Sequence, residues 1–146
     1  MPRVSIATPQ DAVPVDRNLM RNVARTVLAG EEIGDYEISL AFVDNLTIHR
    51  LNKQFLQHDE PTDVLTFPLS EGRKLAGEIV IGAEVGLAQA QERGHDVQAE
   101  LALYVIHGLL HLCGYDDHKA ADVARMRERE RHYLRELGLP AIAADE

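Results

Sequence analysis

Two histidines stand four residues apart in the apolar, helix-compatible run Tyr104–Asp116 (Y-V-I-H-G-L-L-H-L-C-G-Y-D), and D-H follows it through His118. On an α-helix, positions i and i+4 differ by roughly 40° in direction and about 6 Å along the axis. The imidazoles of His107 and His111 can therefore reach one metal ion. Gly114 ends the run, and the turn after it returns a third candidate ligand, His118 or Asp117. Two helical histidines and one turn ligand leave a fourth position open for water, as in catalytic rather than structural zinc sites. Burying neutral imidazoles without partners is costly. Three histidines within twelve residues thus favour a metal site over unrelated core histidines.

A zinc ion with an open position lowers the pKa of its water to about 7 and polarises a carbonyl or phosphoryl oxygen. That chemistry is hydrolysis. In the protease motif H-E-x-x-H the Glu is the general base; here that place is Gly108. Amide cleavage without a positioned base is slow. A phosphodiester needs less help, because a metal stabilises phosphoryl charge and RNA carries its own 2′-OH nucleophile. Gly108 therefore shifts the expectation from protease to nuclease. Asp116 is placed in orienting a histidine ligand or shaping the turn, while Asp117 stays open. Cys113, two residues from His111 and so on the opposite side of a helix, reads as a small core residue.

The elements that must position these groups follow from periodicity. Val4–Ala7 reads as a strand. Asp16 caps a helix with an inner face of Leu19, Val23 and Val27, closed by Gly30. Residues 37–43 alternate as a strand. Asp44 caps a helix to about Leu56 with Ile48, Leu51 and Phe55 inward. Residues 62–69 form a strand that Pro68 confines to an edge or an end, and a polar hairpin-like loop leads to a strand at Gly77–Ile81. A helix from Ala83 stops at Gly94. Residues 97–113 form a helix apolar nearly all round, hence central. The last helix, residues 120–137, is dense in Arg and Glu and reads as a solvated face. The order β-α-β-α-β-β-α-α-α predicts one α+β domain over residues 1–146, with a mixed four-stranded sheet packed by helices around the central helix that carries the histidines.

Bulk properties bound the rest. The chain has 146 residues, 45% hydrophobic, enough for one folded core. A single Cys excludes an internal disulfide and suits a reducing compartment. With no secretion signal and no apolar run of membrane length, the expected location is the cytoplasm, without membrane association. The net charge of −9 argues against a sequence-independent nucleic-acid binder, although Arg3, Arg17, Arg21, Arg25, Arg50 and Lys53 lie within the first 53 residues. A bound divalent cation would add positive charge at the site itself. His49, His95 and His132 read as exposed or structural, and His58 as a weak site candidate.

Three segments in order carry a family resemblance: L-N-K-Q-F at Leu51–Phe55 followed by D-E-P-T-D-V-L-T-F-P at Asp59–Pro68, G-E-I-V-I at Gly77–Ile81, and H-G-L-L-H-L-C-G-Y-D at His107–Asp116. Together they resemble the YbeY family of bacterial rRNA maturation factors, regarded as metal-dependent endoribonucleases. The resemblance implies a single α+β domain with one zinc, and a role in 16S rRNA 3′-end maturation and ribosome quality control. It implies rRNA, ribosomal subunits, ribosomal proteins and a ribosome-assembly GTPase as partners. The expected site is then His107, His111 and Asp116 for catalysis, with His107, His111 and His118 on zinc. The family motif usually ends G-Y-D-H; here Asp117 takes that last place and His118 follows, and a one-residue longer turn with an imidazole ligand is preferred. Where the family usually carries a substrate-contacting Arg, this chain has Leu56. Thr66 for Ser and Glu78 for Asp are mild changes.

Overall fold

In the computed structural model, residues 2–56, 63–70 and 72–143 are described. The elements are β1 (Arg3–Ala7), α1 (Arg17–Gly30), β2 (Tyr36–Val43), α2 (Asn45–Leu56), β3 (Val64–Pro68), β4 (Leu75–Gly82), α3 (Ala83–Arg93), α4 (Val97–Leu112) and α5 (Ala120–Glu136). The sheet order is β1-β2-β4-β3. β1, β2 and β4 run parallel, and β3 joins antiparallel as an edge. The protein is a single-domain α+β fold with a mixed sheet, as the sequence implies. Pro68 ends the edge strand, where its missing N–H breaks no ladder between inner strands.

Local signals account for the helix starts. Asp16 accepts the Leu19 N–H at 3.0 Å, and Asp44 accepts the Thr47 N–H at 2.8 Å. α1 buries Met20, Val23, Ala24, Val27 and Leu28. β4 alternates between two cores. Ile79 and Ile81 join the main core with α1 and α4, while Val80 packs with Val43, Ile48 and Leu65 beneath α2. Phe55 departs from the expected inward face. It is 55% exposed and meets Phe67 edge-on at 5.6 Å. Its partner is on the edge strand β3, where the sheet ends and burial cannot be complete.

α4 touches α1, α3, α5, β3 and β4. Leu101, Ile106 and Leu109 on it are fully buried, each side chain contributing about 1.5–3 kcal/mol. Gly108 is where α4 meets the sheet: a Cβ there would lie 2.8 Å from Ile79 Cγ2 and 3.3 Å from Val64 Cγ1. α4 ends at Leu112, and the turn after it passes through Gly114, whose φ of +105° suits glycine, with Tyr115 N–H closing onto the Leu110 carbonyl. The chain is thereby turned back across the end of the helix.

Candidate metal centre

Three side chains converge at the C-terminal half of α4. His107 Nε2 lies 3.1 Å from His111 Nε2, and Asp117 Oδ2 lies 3.6 Å and 3.5 Å from those two nitrogens. Ligands about 2.0–2.1 Å from a tetrahedral zinc ion stand about 3.3 Å apart. The observed triangle of two imidazole nitrogens and one carboxylate oxygen matches that spacing, so this donor set fits a single small divalent cation.

A buried carboxylate stands behind the triangle. Glu130 of α5, fully buried, places Oε2 2.6 Å from His107 Nδ1. A carboxylate accepts, so the proton belongs on Nδ1, and His107 presents the Nε2 lone pair to the centre. Arg127, one turn earlier on α5, donates from Nη1 to both Glu130 oxygens at 2.8 and 3.1 Å. This buried Glu corrects the reading of α5 as a solvated face. Met126, Glu130, Tyr133 and Leu134 are all buried. The available signal is a carboxylate sitting in an apolar stripe of helical period.

The turn residues separate in role. Asp116 Oδ1 accepts the N–H groups of Asp117 and His118 at 2.7 and 3.2 Å, which aims Asp117 back over α4. Asp116 itself does not join the His pair. The His118 ring is 85% exposed and lies 3.4 Å from Asp116 Oδ1. The structure therefore brings together His107, His111 and Asp117, not the expected trio with His118. The Asx turn spends one residue on shape, so the next carboxylate faces inward and the imidazole outward. Asp117 also belongs to a second, more exposed group with Asp116 and His118. His58 and Asp59–Thr62 lie outside the described residues. Leu56 is the last residue of α2.

The turn is braced from α1. Glu31 accepts hydrogen bonds from the Tyr115 hydroxyl, Arg129 and the Tyr133 hydroxyl. Burial alone would raise its pKa, but the bonds from Tyr133, Arg129 and Tyr115 outweigh that and hold it below the usual carboxylate value. Cys113 plays no part in the triangle; burial and the Glu31 charge push its thiol up to about 11.

A cleft of about 520 Å³ leads to the triangle, with α4 as its floor and α3 and α5 as walls. Beyond His107 and Asp117 its lining includes Tyr104, Glu100, Arg93 and Arg127. Glu100 is buried and contacts His95. Tyr104 hydrogen-bonds Glu100, and burial together with that bond holds its phenol pKa well above the ordinary value. His95 is therefore structural, and Glu100, which carried no motif, lines the approach to the centre.

The profile described as endoribonuclease YbeY matches residues 5–138. A protein named endoribonuclease YbeY from Carboxydothermus hydrogenoformans is 40% identical over 134 residues, covering 89% of this chain and 94% of that protein. One of the same name from Pelotomaculum thermopropionicum is 39% identical, covering 93% and 97%. The solution structure of TM1509 from Thermotoga maritima superposes with a TM-score of 0.67 at 31% identity, covering 98% of this chain and 97% of that one. On the match of the family profile along most of the sequence, and on relatives of this identity and coverage, the chain belongs to the endoribonuclease YbeY family.

Proposed function

We propose that this protein is a zinc-dependent, single-strand-specific endoribonuclease that acts on rRNA in the cytoplasm, in 16S 3′-end maturation and ribosome quality control. Ribosomal subunits, ribosomal proteins and an assembly GTPase are its proposed partners. One observation carries the reading: His107, His111 and Asp117 form a triangle of zinc-ligand size, backed by Glu130, at the end of a cleft. His107, His111 and Asp117 are the proposed ligands, with His118 the neighbouring alternative to Asp117.

A divalent cation held there supplies Lewis acidity toward a phosphoryl oxygen and a water of lowered pKa. The chain supplies the rest. Glu130 keeps the His107 proton on Nδ1 and fixes the ring. Asp116 shapes the turn that delivers Asp117. Gly108, packed against Ile79 and Val64, leaves no room for the glutamate of a zinc protease. That disfavours an amide substrate and favours RNA, whose 2′-OH lies beside its own phosphodiester.

The test is cleavage of a labelled precursor rRNA fragment by protein of measured zinc content, with His111→Ala in parallel. Cutting by the wild type, loss with chelator and loss in His111→Ala support the reading. One zinc per chain with intact RNA would overturn it, in favour of a non-catalytic, zinc-containing ribosome-assembly factor.

A further inference from the structure

The cleft is rich in acid for a site meant to take a polyanion. Its lining holds Asp63, Glu100, Asp117 and Glu130 against two guanidinium groups, Arg93 and Arg127. A cation at the triangle offsets part of this, but phosphates away from the ion still need positive partners. Resting on the RNA-cleaving reading above, we propose that Arg127 and Arg93 are the phosphate contacts of the cleft. Arg127 serves the phosphodiester that is cut, and Arg93 serves another along the same strand.

Arg127 is anchored but not saturated. Its Nη1 is engaged with Glu130, while its Nε is buried and finds no acceptor among the described residues. That buried Nε is out of reach of a ligand, but a guanidinium has five donors in a rigid fork, and the contacts from Nη1 do not use them all. The side chain is a quarter exposed. Through Glu130 it is joined to His107, which places it beside the centre. A phosphate there would meet both the metal ligands and the arginine.

Arg93 stands on the opposite wall. It is half exposed, and its Nη1 is 3.9 Å from Glu100 Oε2, too long for a tight pair. Glu100 is already held through its other oxygen by His95. The Arg93 fork can therefore turn to a ligand. Glu100 and His107, beside which the two arginines lie, are seven residues apart on α4, about 10 Å along the axis. That separation exceeds the spacing of adjacent phosphates, so the ligand must be at least a short oligonucleotide and a mononucleotide engages one arginine only.

The experiment measures both binding and cleavage of one single-stranded RNA by the zinc-loaded protein over a range of KCl concentrations. It compares wild type, Arg93→Ala, Arg127→Gln, Arg127→Lys and, as a control, Arg25→Ala, an exposed position on α1 outside the cleft lining. Each lost phosphate contact lowers the slope of log affinity against log salt by about 0.7. Arg93→Ala should weaken binding about tenfold at low salt and raise KM more than it lowers kcat. Arg127→Gln should lower kcat as well, and Arg127→Lys should restore the salt slope without restoring kcat, because lysine lacks the fork. Wild-type slopes in Arg93→Ala and Arg127→Gln, or an equal loss in Arg25→Ala, overturn the proposal. If the wild type binds RNA but does not cut it, the nuclease reading fails, while the salt slopes of binding still decide the arginine assignment.

Discussion

Glu130 and His107 are joined across two helices by a 2.6 Å contact that also fixes which nitrogen of the imidazole faces the centre. Such an outer partner commonly governs metal affinity about 10–100-fold. Glu130→Gln keeps the shape and removes the charge, but an amide can then donate where a carboxylate only accepted. Zinc affinity should fall within that range while circular dichroism stays native. Chelator competition measures it, and unchanged affinity would show that the contact is structural alone.

Asp117 and His118 are separable by substitution. Asp117→Ala removes a vertex of the triangle and should leave the protein with much less than one zinc per chain after dialysis. His118→Ala, at a ring 85% exposed, should retain it. Elemental analysis of the two variants decides the third ligand, and the opposite pattern would restore the ligand set expected from sequence.

Much of the fold and of the site is legible in the sequence, and the reason is local. The His pair follows from helical period, Gly108 from its place between them, and the strand and helix order from alternation and caps such as Asp16 and Asp44. What escaped depends on long-range packing. Glu130 hid inside a run of Arg and Glu because burial is set by how α5 docks on α4, and charge content alone cannot show that. Which of Asp117 and His118 faces the His pair depends on one Asx turn at Asp116, whose geometry inverts the two side chains. Phe55 has helical spacing like Ile48, yet it sits where the sheet ends.

Gly108 offers a test of the protease alternative. Gly108→Glu would write H-E-x-x-H into α4, but its Cβ would lie 2.8 Å from Ile79. Overpacking of this kind costs about 1–3 kcal/mol, and an unpaired carboxylate against the sheet adds to it. The variant should melt well below wild type and cleave no casein. A stable variant with peptidase activity would show that the glycine is not a packing requirement.

Glu31 makes stability depend on acid. Its carboxyl is held below the reference value of 4.5: burial works against this, and the bonds from Tyr133, Arg129 and Tyr115 prevail. The ionised form is therefore favoured by folding. Its contribution is fully present above about pH 4.5 and is lost as pH falls through the lower folded-state value. Glu31→Gln cannot ionise, so it should melt earlier than wild type at pH 7, and the gap should narrow below pH 4.5. Because Tyr115 leads directly into Asp116 and Asp117, the same variant should also bind zinc more weakly at neutral pH. Thermal melts from pH 3 to 8 with parallel zinc titration measure both effects. A gap in melting temperature that stays constant across that range would sink the assignment of Glu31 as the acid-sensitive brace of the turn.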